Sequence, residues 1–168
     1  KRFHGLGERD RLLLQIAVTL HACGKFISMK NSNECGYALI MSTEIIGLSH
    51  LEREIIANVV RYNIRDFDYD MMQLETEAGQ DLAGVSDRTA ITILIAKLTA
   101  ILRLANSMDK THKSKLIDCR MAVREGQLVI TTGYKGDLAL ESASFEQKAA
   151  FFEEIFGIRP VLKQKRRV

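Results

Sequence analysis

The sequence predicts an α+β protein: a mainly helical part over residues 1–114, then a small antiparallel β-β-β-α-β module over residues 115–168 with a basic tail. Three observations predict this. Apolar residues recur at helical spacing as far as about residue 108. After Lys115 the period falls from 3.6 to 2. A chain of 168 residues is long enough to bury one sizeable core, or one core and a small appended module.

The first helix is expected over residues 8–22. Leu13, Ile16, Ala17 and Leu20 share a face that Leu14 and Val18 widen, and Gly24 is its stop. Ser49-His50-Leu51-Glu52 reads as a capping box. Behind it, Leu51, Ile55, Val59 and Tyr62 fall on one helical face. A third long helix runs from near Ser86 to about Met108, apolar on most sides as a central core helix is. Between these two helices, residues 66–85 are acidic and broken by Gly79 and Gly84, which predicts a surface excursion with a short helix.

In the module, Ile117, Cys119, Met121 and Val123 alternate with Asp118, Arg120, Ala122 and Arg124, which predicts a half-buried strand. Glu125-Gly126 turns the chain into a second strand over 127–132. A third strand is expected at Leu138–Glu141. Ser144-Phe145-Glu146-Gln147 reads as another capping box, opening a helix striped by Phe145, Ala149, Phe152 and Phe156. Gly157 stops that helix, and Ile158–Lys163 is the last strand.

Composition narrows the function classes. Cys23, Cys35 and Cys119 include no CxxC, which argues against a zinc knuckle or a redox motif and fits free thiols in a reducing cytoplasm. Lys1-Arg2-Phe3-His4 leads into no apolar run, so no secretory leader is expected there. The longest apolar run, 90–104, is interrupted by Thr92, Lys97, Thr99 and Arg103, which predicts a buried helix and no membrane span. The missing initiator Met suggests a piece of something longer. Net charge is uneven: residues 1–84 sum to −3 and residues 85–168 to +6. The second half is therefore the place to look for an anion.

Leu20-His21-Ala22-Cys23-Gly24 closes the first helix at a point where a metal-dependent phosphohydrolase of the HD type carries His-Asp. In such a site the paired carboxylate helps hold a cation, and the cation makes hydroxide available from bound water. Here a methyl group stands at Ala22, so His21 is expected to bond locally instead. Glu34 and Cys35 are donor types for a metal, but nothing in the sequence fixes them near His21, and Cys35 reads as a buried structural thiol. At the end of the long helix, Arg103, Asn106 and Asp109 precede Lys110, His112, Lys113 and Lys115. Cations there complement the helix dipole, or grip closely spaced phosphates. Lys163, Lys165, Arg166 and Arg167 extend the positive charge. With no aromatic residues interleaved, nucleic acid is expected only as a non-specific ligand.

These motifs, in order, resemble the C-terminal region of the exopolyphosphatase and guanosine pentaphosphate phosphohydrolase (Ppx/GppA) family. The resemblance is carried by Leu20-His21-Ala22-Cys23-Gly24, Gly36-Tyr37-Ala38-Leu39-Ile40, Gly47-Leu48-Ser49, Ile56-Ala57-Asn58-Val59-Val60-Arg61-Tyr62 and Leu102 to His112. Phe156-Gly157-Ile158-Arg159-Pro160-Val161 is similar too. The resemblance implies an HD-like helical domain followed by a small α+β domain. In such a family, N-terminal actin-like domains carry a Mg-dependent phosphohydrolase site, and the C-terminal part helps bind long polyphosphate and supports a homodimer. It implies a polyanion-contact role for Lys110, His112 and Lys113. Arg103 lies on a mostly apolar helix, so a structural ion pair competes there with an anion contact. Family members often read His-Asp where this chain has His21-Ala22, His near Cys35, and Ala-Asp where it has Ala105-Asn106. No metal role is therefore carried to His21, Ala22, Cys35 or Asn106, and no cofactor is expected in this chain. The expected function is that of an accessory, polyphosphate-binding and dimer-supporting portion of an exopolyphosphatase, inactive alone. A residual HD-type nucleotide phosphohydrolase and a purely structural dimerisation domain are the alternatives.

Overall fold

A computed structural model describes residues 4–69, 72, 74 and 85–165, with side chains in the last stretch described from 88 onward. Most of the acidic stretch 66–85, and Arg166 and Arg167, lie outside the described residues. The chain forms two compact units, Lys1–Leu102 and Arg103–Val168. The division falls inside a helix, upstream of the change of period after residue 114.

The first unit is helical. It contains α1 (Glu8–Leu20), a single 3-10 turn (Cys23–Phe26), α2 (Ser32–Ser42), α3 (His50–Tyr62) and most of α4 (Val85–Met108). Its core joins Leu13 and Ala17 of α1, Ile40 of α2, Ile55, Ile56, Val59 and Val60 of α3, and Ile91, Ile95, Leu98 and Leu102 of α4. α3 is buried most completely, because both its apolar stripe and small Ala57 face neighbours. Segment 88–108 of α4 is long and apolar enough by composition to cross a membrane, and it places its Ile95 and Leu98 in this core. Val18 is exposed, so the apolar face of α1 is narrower than its sequence predicts.

Local chemistry sets the entry to α3. The Ser49 hydroxyl accepts from the Glu52 amide at 3.2 Å, and the Glu52 carboxylate accepts from the Ser49 amide at 2.9 Å. The predicted capping box is present. Arg9 of α1 adds a second tie: its guanidinium donates to Glu52 at 2.7 Å and to the Gly47 carbonyl at 2.8 Å. Arg9, then the Ser49 amide, hold the Glu52 carboxyl down at about 2.

A depressed carboxyl pKa gives a definite sign. The stabilisation is whole above the ordinary carboxylate value and is lost as pH falls toward about 2. Because the Arg9 side chain is half exposed, the contribution is about 1 kcal/mol. Acid titration of unfolding free energy from pH 5 to pH 2 should show this loss in the wild type and a flatter profile in Glu52→Gln. Identical profiles would contradict the assignment. Glu34 acts in the same direction, since its bonds to Arg61 and Arg65 outweigh desolvation and lower its pKa.

The second unit carries the end of α4, β1 (Arg120–Arg124), β2 (Gln127–Thr132), α5 (Ala139–Phe156) and β3 (Arg159–Gln164). The α+β class holds, but the module differs from the predicted β-β-β-α-β antiparallel arrangement. It is β-β-α-β, and the sheet is mixed, in the order β1-β2-β3. β1 and β2 form an antiparallel hairpin through Glu125 (φ 50°) and Gly126 (φ 74°), the double positive φ of a tight primed turn. β3 lies parallel to β2 because α5 is a crossover: a chain that leaves one strand through a helix returns to its neighbour in the same direction.

The expected third strand at Leu138–Glu141 is the start of α5. Ala, Leu and Glu are strong helix formers, and the Asp137 carboxylate accepts from the Ala139 amide at 2.8 Å. Leu138, Glu141, Phe145, Ala149 and Phe152 are all buried, a stripe of helical spacing that begins well before Ser144. Ser144 is thus an interior helical residue and not a cap. The helix ends where predicted, at Gly157 (φ 68°). β1 was expected to be half-buried, but all five of its residues are exposed, because it is an edge strand.

Candidate anion-binding site

In the first unit, the place where an HD site would sit holds no donor set. The His21 ring donates through Nδ1 to the Val18 carbonyl at 2.6 Å, capping its own helix end. Cys23 borders an apolar groove of about 520 Å³ lined by Ile16, Leu20, Leu39, Ile40 and Ile45. Burial pushes the Cys23 thiol up, which keeps it protonated and a poor ligand. The Glu34 carboxylate is taken by Arg61, at 2.9 Å, and by Arg65, at 3.0 Å. Among the described residues no three His, Cys, Asp or Glu side chains gather as a metal site would require. Cys35 is partly buried in the first unit, beside Gly36 of α2. Asn106 lies in α4 within the second unit.

The second unit contains a polar groove of about 770 Å³. Three segments build it: the loop after α4, which brings Lys113, Ser114 and Lys115; the entry to β1, which brings Asp118, Cys119 and Arg120; and the ends of β2 and β3 with the residues just after them, which bring Thr131, Thr132, Tyr134 and Lys165. Register explains the sheet contribution. Arg120 pairs with Thr131, and Thr131 pairs with Lys163, so the three stand in one row across the sheet. The Lys165 amide donates to the Thr132 carbonyl at 3.0 Å, extending the β2–β3 pairing one residue past the strand.

The loop after α4 is tightly specified. The Asp109 carboxylate accepts from the Ser114 amide at 2.9 Å, and the His112 amide donates to the Asp109 carbonyl at 3.0 Å. His112 and Ser114 both have φ of 51°, a left-handed conformation that is costly without glycine. Lys113 stands between these two positions. Leu116 is buried and pins the far end of the loop. Lys115 donates to the Asp137 carbonyl at 3.0 Å and to the Glu141 carboxylate at 3.1 Å, and the Thr111 hydroxyl donates to the other Glu141 oxygen. Thr111, then Lys115, hold the buried Glu141 carboxyl below the usual carboxylate range. Glu141 is therefore ionised and cancels the charge of Lys115.

The residues expected to meet a polyanion separate into four groups. Lys113, Lys115 and Lys165 line the groove. Lys110, His112 and Lys163 are exposed but do not line it. Arg103 is buried, with its guanidinium 4.6 Å from the centre of the Phe151 ring, so it stacks within the fold rather than facing an anion. Arg166 and Arg167 lie outside the described residues. Sequence reasoning missed Arg120, Ser114, Thr131 and Tyr134. Alternation placed Arg120 on the open face of its strand, but only the register shows which loop it adjoins. The groove holds three cations that no carboxylate bonds among the described residues, Lys113, Arg120 and Lys165, against one acid, Asp118.

A family model described as Ppx/GppA phosphatase, domain III, matches residues 2–149. The chain belongs to the Ppx/GppA family. No curated protein matches it. The domain III match runs from before α1 to the middle of α5, so it takes in α1 to α4 and the groove residues from Lys113 to Tyr134, while Lys165 lies beyond its end. This chain thus carries the domain III of that family.

Proposed function

We propose that this domain III chain binds condensed phosphate in the groove of the second unit, as the accessory portion of an exopolyphosphatase. The parent enzyme would hydrolyse terminal phosphoanhydride bonds and release orthophosphate, with its Mg-dependent chemistry in actin-like domains upstream. One observation carries the reading: Lys113, Arg120 and Lys165 converge on one groove with the hydroxyls of Ser114, Thr131 and Tyr134. A chain of phosphates offers a repeating series of anionic oxygens. Guanidinium and ammonium groups match them through charge-assisted bonds, and hydroxyls donate to oxygens left over. Three cations and three hydroxyls against the single aromatic ring of Tyr134 favour an inorganic polyanion over a nucleotide.

Titration of the chain with long-chain polyphosphate at increasing NaCl concentration tests the proposal. Binding should weaken linearly in log affinity against log salt, as counterions are released from the polyanion. An affinity indifferent to salt, or no binding at low salt, would reject it.

A further inference from the structure

We infer that Lys115 is a strut and not an anion contact, that Glu141 and Thr111 are the positioning residues behind it, and that Arg120 is the third anion-binding side chain beside Lys113 and Lys165. This inference rests on the condensed-phosphate reading above. Sequence order makes Lys115 look like one member of a basic run, but its ammonium is committed. It bonds the Glu141 carboxylate and the Asp137 carbonyl, with only 13% of the side chain exposed. Glu141 is wholly buried and spends its second oxygen on Thr111. The three side chains form a clasp that ties both ends of segment 111–115 to the first turn of α5. Between the tied ends lie His112 and Ser114, two non-glycine residues held at positive φ, and Lys113 at the apex. Backbone of that kind persists only when its surroundings over-determine it. The clasp supplies part of that constraint, beside the Asp109 bond to the Ser114 amide, and so sets the direction in which the Lys113 side chain leaves the backbone. Arg120 is exposed and lines the same groove, and its fork of donors suits phosphoryl oxygens better than a single ammonium does.

Charge and position make opposite predictions for Glu141→Gln. Removing an acid near a cationic groove should tighten polyphosphate binding on charge alone. Loss of the clasp should weaken it, by about fivefold for one mispositioned exposed charge contact. The experiment measures polyphosphate affinity across a salt series for the wild type, Glu141→Gln and Arg120→Gln, together with amide hydrogen exchange of residues 109–117 without ligand. We expect Glu141→Gln to bind more weakly despite its added positive charge, with faster exchange in the loop. Arg120→Gln should lower the salt slope by about one and leave loop exchange unchanged. Should Glu141→Gln fail to fold, Thr111→Val removes one bond of the clasp at constant charge and is expected to act in the same direction. Equal or tighter binding with unchanged loop exchange would overturn the strut. A wild-type chain that ignores polyphosphate would defeat the functional reading and the role of Arg120, and loop exchange would still decide the strut.

Discussion

Replacing Gly24 by Ala should destabilise the first unit by about 3 kcal/mol or more, because the new methyl has nowhere to go. A Cβ at this position would sit 1.9 Å from the Ser32 carbonyl oxygen and 2.5 Å from the Gly36 nitrogen. Both are backbone atoms at the start of α2, so relief requires moving a helix and not a side chain. The 3-10 turn would be driven off α2, and Ile40 with it from the core. Gly133→Ala is the control: a Cβ there meets nothing within 4 Å, and stability should be nearly unchanged. Urea unfolding of the two variants checks this. A Gly24→Ala loss below about 0.5 kcal/mol, the range of an ordinary surface change, would contradict the packing described.

The second large effect is functional. Lys113→Gln, Arg120→Gln and Lys165→Gln combined should cost about 100-fold in polyphosphate affinity at low salt, since each removes one exposed charge contact worth about 1 kcal/mol. All three side chains are exposed, so the fold should be kept, with unfolding free energy within about 0.5 kcal/mol of the wild type for each change. Isothermal calorimetry gives the affinity, and thermal unfolding checks the fold. A triple variant that binds within threefold of the wild type would place the anion elsewhere. Candidates would then be Lys110, His112 and Lys163, which are exposed outside the groove.

Features legible in the sequence are those set within a few residues. The Ser49–Glu52 box, the Glu125-Gly126 turn, the Gly157 stop and the extent of α4 each depend on near neighbours, and each is found. Features that escaped it depend on distant partners. Gly24 reads as a helix stop, but it is required by the approach of Ser32 and Gly36. Leu138–Glu141 follows the turn glycines Gly133 and Gly136 and so reads as a strand, yet it joins a helical stripe whose other members are Phe145, Ala149 and Phe152. A parallel β3 follows from where α5 returns the chain, which no local pattern states.

The candidate site shows the same division. Lys113 and Lys165 were visible as charge on the basic half of the chain. Lys115 was visible too, but its partner Glu141 is 26 residues away, so its neutralisation was not. Arg103 was ambiguous by sequence, and the Phe151 ring beneath its guanidinium decides its role. Arg120 became a groove residue only through its pairing with Thr131.

The central claim is that three cations with no carboxylate partner among the described residues of the second unit meet a chain of phosphates. The salt dependence of polyphosphate binding tests it most directly, compared between the wild type and the Lys113, Arg120 and Lys165 triple variant. We expect a steep linear fall of log affinity with log salt in the wild type, and a slope shallower by about three in the variant. Parallel lines for the two proteins would contradict the account.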